Sequence, residues 1–283
     1  MSISRPATAR PRQDGPPGPD VQEPPSAAEL ESIERDRIDW ATLLGAMVMD
    51  APDLGGRLVT HEAPTSTLNY VAAIRWSAAS FEENLSRVVE VMSDRGLWPS
   101  LVVCDGLTEP ADMAQRLRAS GWMPVFSDLN MWTRRAAVVP HLDPGLRMEA
   151  ITAASALESV RLETAVFGLL PDAIGESAEL LAKSVSEGTS RGYLLRLGRE
   201  PVATARLVPG PTVAGVHAIG VAARHRRRGY GRMITTVATR AGFATGHKLV
   251  WLSVIESNTP ALNLYRSLGF EFAFRWTRWI APG

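Results

Sequence analysis

Apolar and polar positions in the second half of the chain switch between two periods. Residues 193–197 and 202–208 run apolar or alternate, which predicts two strands. The GREP stretch between them, residues 198–201, reads as a hairpin turn. Residues 216–221 form an apolar run of strand length. Ile234, Val237, Ala238 and Ala241 recur at helical spacing within residues 232–245. A buried-type strand follows at 249–255, then a short helix at 260–268 with proline in its first turn, then a last strand at 270–276. Upstream, 146–151 reads as a strand and 154–167 and 178–186 as helices. The order is mixed α/β.

The first half repeats this order. Gly121-Trp122 and Gly269-Phe270 each close a short helix, RLRASGW against LYRSLGF, and lie 148 positions apart. At that offset the strand ending at Val221 falls on LNYVAAI (68–74). The helix after it falls on 81–92, and the strand at Trp251 falls on 100–104. Two copies of one α/β unit are expected. The stretch 138–145, with two prolines and a glycine, marks the seam, giving units at 28–140 and 141–283. Residues 1–27 are rich in Pro, Gly, Arg and Ser, cannot bury enough surface to offset their ordering entropy, and are expected to be disordered.

Composition narrows the function. Lysine plus arginine and aspartate plus glutamate each number 30, and this balance speaks against a protein built to grip nucleic acid. No apolar run is long enough for a membrane span, and no apolar stretch follows the early arginines as in a signal peptide, so a cytoplasmic protein is expected. The single cysteine, Cys104, excludes an internal disulfide framework and a multi-thiolate metal site. It sits in an apolar strand and reads as buried and inert. Trp40, Trp76, Trp98, Trp122 and Trp132 crowd the first half and read as core or interface residues.

The chemistry concentrates at Arg226-Arg227-Arg228-Gly229-Tyr230-Gly231-Arg232, between a strand and a helix. Unpaired backbone N–H groups at a helix N-terminus hold phosphate oxygens, and glycines let the backbone approach them. The arginines add charge suited to a pyrophosphate. The read-out is neither a Walker A loop nor a dinucleotide fingerprint. A second motif, SNTPALNLYRSLGF (257–270), places Asn258 after a strand and Tyr265 on a short helix.

With these two motifs in this order, residues 146–279 resemble the GNAT N-acetyltransferase superfamily. The resemblance implies two GNAT-like domains, each a mixed, mostly antiparallel sheet flanked by helices. It also implies acetyl-CoA as co-substrate with no metal. Ile219, Gly220 and Val221 would pair with the pantetheine amides, with the Ile219 N–H facing the thioester oxygen. The turn from Arg226 to Arg232 would cradle the pyrophosphate. Asn258 would help hold the pantetheine arm, its alternative role being a helix N-cap. Tyr265 would donate a proton to the departing thiolate.

The sequence departs from the family at the base. The positions that carry glutamate in some members match Gly215 and Ser253 here. His217 and Glu256 are the candidates left, each with a bland alternative, a structural strand histidine and a solvated loop carboxylate. The first copy keeps neither motif: the turn falls on Ala78 to Glu83, Tyr265 on Leu117, and Asn258 on Pro110. Tandem members with one degenerate half, mycothiol synthases among them, are known. The expected function is transfer of acetyl from acetyl-CoA to a primary amine, borne by a small molecule or peptide, with no nucleic-acid or membrane partner. A monomer or homodimer is expected. The alternatives are a mycothiol-synthase-like enzyme and a non-catalytic acyl-CoA sensor.

Overall fold

The computed structural model describes residues 21–63, 67–141, 144–169 and 171–283. The chain opens with α1 (Ala27–Asp39), started by a capping box. The Ser26 hydroxyl accepts from the Glu29 N–H, and the Glu29 carboxylate accepts from the Ser26 N–H. A 3-10 turn at Trp40–Leu44 leads to β1 (Met47–Ala51), β2 (Gly56–Thr60) and β3 (Tyr70–Ala72). Then come α2 (Phe81–Ser93), β4 (Ser100–Cys104), α3 (Met113–Ala119) and β5 (Met123–Thr133). The second half runs β6 (Leu146–Ala150), α4 (Ala156–Phe167), α5 (Ile174–Ser186), β7 (Arg191–Leu197), β8 (Glu200–Pro209) and β9 (Ala214–Val221). It ends with α6 (Tyr230–Ala244), β10 (Val250–Ile255), α7 (Thr259–Ser267) and β11 (Glu271–Ile280).

The series β3-α2-β4-α3-β5 recurs as β9-α6-β10-α7-β11, and β5 and β11 start 148 residues apart, at Met123 and Glu271. Both units are mixed and mostly antiparallel, with parallel pairing at β3–β4 and β9–β10. They do not form separate sheets, however. The strands of the described residues all join one eleven-stranded sheet in the order β1-β2-β3-β4-β11-β5-β10-β9-β8-β7-β6.

That order contains a strand exchange. A self-contained unit would close β4 with β5 and β10 with β11. Instead β11 inserts against β4, and β5 pairs with β10. The two exchanged strands are long and pair with each other from Glu271–Trp132 to Ile280–Met123. Each buries side chains in the other half's core. Trp279 of β11 sits among Phe81, Leu85 and Leu117, and Leu129 and Met131 of β5 sit among Ile234, Ala238 and Leu252. On the opposite face α1 lays Ile33 and Ile38 over Trp132, Trp251 and Trp276.

Other expectations are refined. Residues 1–20 of the expected disordered tail lie outside the described residues. Of the remainder, Gln22 is buried: its Nε2 donates to the Gly269 carbonyl, and its Oε1 accepts from the Arg134 N–H and the Thr133 hydroxyl. Leu142 and Asp143 of the expected seam also lie outside the described residues. Trp76, Trp122 and Trp132 are core residues, but Trp98 is on the surface, 55% exposed, with its indole N–H on the Ala281 carbonyl. Cys104 is buried, and burial pushes its thiol well above the ordinary value. No helix among the described residues is long and apolar enough to cross a membrane.

The sheet-facing side of α1 is unusual in burying charged residues. Glu34 pairs with Arg75 at 2.5 Å, whereas Asp36 packs against Gly210 and its Oδ2 has no partner. Burial first, and the nearby Asp39 second, push Asp36 from 3.8 up to about 7. The folded carboxyl therefore keeps a proton that the unfolded chain has lost, so stability falls as pH rises from about 4 to about 7 and levels off above. Asp36→Asn is expected to stabilise the protein by more than about 1 kcal/mol at pH 8 and much less at pH 4.5. Urea unfolding at the two pH values checks this; a variant-to-wild-type difference that does not grow with pH would contradict it.

Candidate active site

The site begins where two parallel strands part. β9 and β10 pair only from Ala214–Val250 to Val216–Leu252, then diverge. Just past that point β9 carries a bulge: the register with β8 jumps between Arg206–His217 and Thr204–Gly220, and Ala218 takes a left-handed φ of 50°. The Ala222 N–H donates to Val202 on β8, so by antiparallel alternation the backbone groups of Val221 and Ile219 face the open gap instead.

The basic turn lies at the end of this edge. Gly229 caps α6 in a left-handed conformation (φ 82°) with no side-chain cap, so the N–H groups of Gly229 to Arg232 have no helical acceptor. Arg227 is also left-handed, at φ 62°. Gly231 is closely packed: a Cβ there would stand 3.2 Å from a Leu264 methyl group, which would have to shift slightly, and 3.6 Å from Val221. Tyr230 is buried and anchors the helix start. Arg226, Arg227 and Arg228 are exposed and have no acidic partner among the described residues, whereas Arg224 is tied to Glu200. Arg232 reaches across to the Ser267 hydroxyl, 2.6 Å, linking α6 to α7.

Across the gap stand the second motif's residues. The Asn258 Oδ1 accepts from the Ala261 N–H at 3.3 Å, so it caps α7, and the residue also lines the cavity beside Tyr265. The Tyr265 ring is buried edge-on to Phe270, and its hydroxyl has no hydrogen-bond partner among the described residues. Burial raises its pKa well above the ordinary value, so it stays a proton-bearing donor across the neutral range.

The base candidates fare differently. His217 is buried, stacked flat on Trp40 at 4.2 Å and edge-on to Trp251 at 5.0 Å. Burial first, then the charges of Arg37 and Arg206, push it down to about 3, so it stays neutral. Its ring also explains Gly215: a Cβ there would collide with the His217 Nε2 and stand 3.1 Å from the Trp251 ring. Imidazole and indole fill the space a carboxylate would need. Ser253 lines the cavity. Glu256 does not; its carboxylate turns to the Arg275 guanidinium at 2.6 Å, which lowers its pKa.

One cavity of about 450 Å³ gathers Ile219, Ser253, Asn258 and Tyr265. Its other wall comes from elements that motif reading did not reach. The first half supplies Arg37, Trp40, Phe126 and Asp128, and α4 supplies Glu163 and Phe167. Glu163 is locked into a buried ion pair with Arg206. These residues belong to no local motif, so their spacing carried no signal.

The first half shows the same unit with its edge covered. Ala73 is the matching left-handed residue, φ 52° against 50° at Ala218, so Ile74 and Trp76 correspond to Ile219 and Val221. Both are already paired: the Glu109 N–H donates to Ile74, and the Trp76 N–H donates to Glu109, each at 3.1 Å. The link to the helix is also shorter, residues 77–80 against 222–229, and holds neither glycine nor arginine.

Residues 162–270 match the sequence model of the Acetyltransferase (GNAT) family. The second half carries a GNAT domain. The fold of the whole chain is similar to a GCN5-related N-acetyltransferase from Kribbella flavida, at 19% identity and TM-score 0.68, covering 91% of this chain and 96% of that one. It is similar to a tandem GNAT protein from the clavulanic acid biosynthesis pathway, at 16% identity and TM-score 0.61, covering 81% and 79%. A GCN5-related N-acetyltransferase from Sphaerobacter thermophilus aligns at 17% identity and TM-score 0.60, covering 94% and 98%. These likenesses are of fold. No curated protein matches the chain in sequence.

The crowding above Gly215 has a measurable consequence. Gly215→Glu is expected to destabilise the GNAT domain by about 2 kcal/mol or more through overpacking, and His217→Ala in the same chain to recover part of that loss. Urea unfolding of the single and double variants checks it; a fully stable Gly215→Glu would show that the ring is not the obstacle.

Proposed function

We propose that the chain is an acetyltransferase that moves an acetyl group from acetyl-CoA to a primary amine by direct attack. The observation that supports this most is the continuity of three features. Free amides at the start of α6 and arginines without acidic partners among the described residues lead into the edge at Ile219 and Val221, where Arg226 Nε donates to the Val221 carbonyl at 3.4 Å, and this edge ends beside Tyr265. The donor set fits the ligand: a row of N–H groups and guanidinium groups suits a diphosphate, and a strand edge not covered by another strand suits amides. The missing Cβ at Gly231 keeps the turn closely packed on α7. Acetyl-CoA would supply an acetyl group activated as a thioester.

The chain's own groups then have defined tasks. Arg226 to Arg232 hold the phosphates, and Ile219 to Val221 align the pantetheine arm, with Asn258 closing over it. The Ile219 N–H donates to the carbonyl oxygen as negative charge develops there. Tyr265 donates a hydrogen bond to the departing sulfur. Because its pKa is raised above that of a thiol, about 8.5, it stabilises the forming thiolate rather than fully protonating it. His217, neutral and without a hydrogen-bond partner among the described residues, offers the amine an acceptor nitrogen but is too weak at about 3 to hold its proton, which passes through water to the departing thiolate. That weakness, with no carboxylate at 215 or 253, supports a second reading, a domain that binds acyl-CoA without turning it over.

Calorimetric titration with acetyl-CoA should show one site per chain, because the first half's edge is occupied by Glu109. Two sites would overturn that assignment. Thiol release with a panel of amines then separates the readings: binding without release on any amine favours the sensor, and no binding refutes both. Tyr265→Phe is expected to lower kcat about 10- to 100-fold with acetyl-CoA affinity unchanged. Reversing charge at Arg226 and Arg228 together is expected to weaken acetyl-CoA binding at least about tenfold. An unchanged kcat removes Tyr265 from the reaction, and an unchanged affinity removes the turn from the phosphate site.

A further inference from the structure

Asp128 is a carboxylate that the GNAT half does not encode, and it faces the transfer cavity. It lies on β5, the strand exchanged from the first half, directly opposite Ile255, two positions from Asn130 opposite Ser253. Arg37 touches both Asp128 and Asn130, so the two share the strand face that lines the cavity. The exchange thus delivers a carboxylate to within about one strand spacing, ~5 Å, of the strand whose Ser253 occupies a glutamate position of the family.

The hydrogen bonding around it is one donor short. Asp128 Oδ2 is paired with Arg37, but Oδ1 is buried and has no partner among the described residues. Arg37 has little left to give, since it also donates to Asn130 Oδ1 at 2.9 Å and lies 4.5 Å over the Trp276 ring. The other charged groups on the cavity are satisfied. Glu163 spends both oxygens on Arg206, and Arg278 donates to the Thr67 and Asn69 carbonyls and to the Ser100 hydroxyl. A buried carboxylate oxygen without a donor is costly, and a cationic donor repays it best. Around the mouth the walls are apolar and unusually open to solvent: Phe126, Phe167, Leu169 and Ile255 are 40, 45, 52 and 57% exposed.

Resting on the acetyltransferase reading above, we infer that Asp128 is the anchor for the acceptor's ammonium group. The acceptor is accordingly a primary amine on an apolar body. The Oδ1 atom accepts a hydrogen bond from the ammonium as the acceptor docks, the ammonium then gives one proton to water to free the lone pair that attacks, Arg37 holds the carboxylate in place, and the apolar rim covers the rest of the molecule. No unsatisfied cation lines the cavity among the described residues, which disfavours an anionic acceptor.

The test uses the full chain with 2-phenylethylamine, tryptamine and hexylamine as probes, their alcohol counterparts as competitors, and spermidine and lysine as polar controls. The wild type is expected to bind the apolar amines at least tenfold more tightly than the matching alcohols and to prefer them to the polar amines. Asp128→Asn is expected to raise KM for these amines at least tenfold, to leave KM for acetyl-CoA unchanged, and to bring the amine-to-alcohol ratio close to one. A purely structural role for Asp128 would not move that ratio. Retention of the ratio in Asp128→Asn, or wild-type preference for spermidine, lysine or the alcohols, overturns the inference. Should the variant fail to fold, the wild-type ratio decides, and equal binding of amine and alcohol refutes the proposal. Failure of acetyl-CoA binding would instead refute the acetyltransferase reading itself.

Discussion

The pairing of β5 with β11 and with β10 is the constraint on which the rest of the molecule depends. Two similar α/β units meet through their closing strands, and each strand completes the other unit's sheet. Because Trp279 fills one core while Leu129 and Met131 fill the other, neither half can bury its own apolar face alone. The exchange also decides what lines the cavity, because it lays first-half side chains directly beside the strands that part at Val216 and Leu252.

The same unit occurs here twice with opposite use of one strand edge. In both copies a left-handed alanine bends the strand so that the next residues turn their backbone groups away from the antiparallel neighbour. In the first copy the chain itself answers them at Glu109, and a short link leads straight into α2. In the second copy the edge stays open and a longer link brings glycine and arginine to the start of α6. Backbone groups shut away from water demand partners, whereas at an open edge water or a ligand can supply them. The two copies thus differ in the occupancy of this edge as well as in the arginines beside it.

Charge around the cavity is arranged in pairs rather than as free groups. Arg206 with Glu163 and Arg37 with Asp128 flank His217, and their two cations join burial in keeping the imidazole neutral. Helix α1 contributes Arg37 to this arrangement while burying Glu34 and Asp36, at some cost in stability at neutral pH. Through Arg37 the helix is tied to the cavity and not only to packing.

The sequence by itself determined the local elements of the second half, the repeat, and the place of the arginine-glycine turn between a strand and a helix. Those depend on short-range rules: periodicity at Ile234 to Ala241, glycine where φ is positive at Gly229, proline and asparagine at the start of α7. It did not reveal α1, β1, β2 or β5, because α1 hides charged residues on its buried side and the strands carry mixed patterns. Nor could it show that the two closing strands trade places. Alternation with period two says which side chains share a face but is blind to which neighbour a strand selects. Only the tertiary structure decided that His217 is a neutral ring filling the space above Gly215, that Glu256 belongs to Arg275, and that Asp128 from the first half reaches the cavity. These are outcomes of burial and long-range pairing, which no local window of residues encodes.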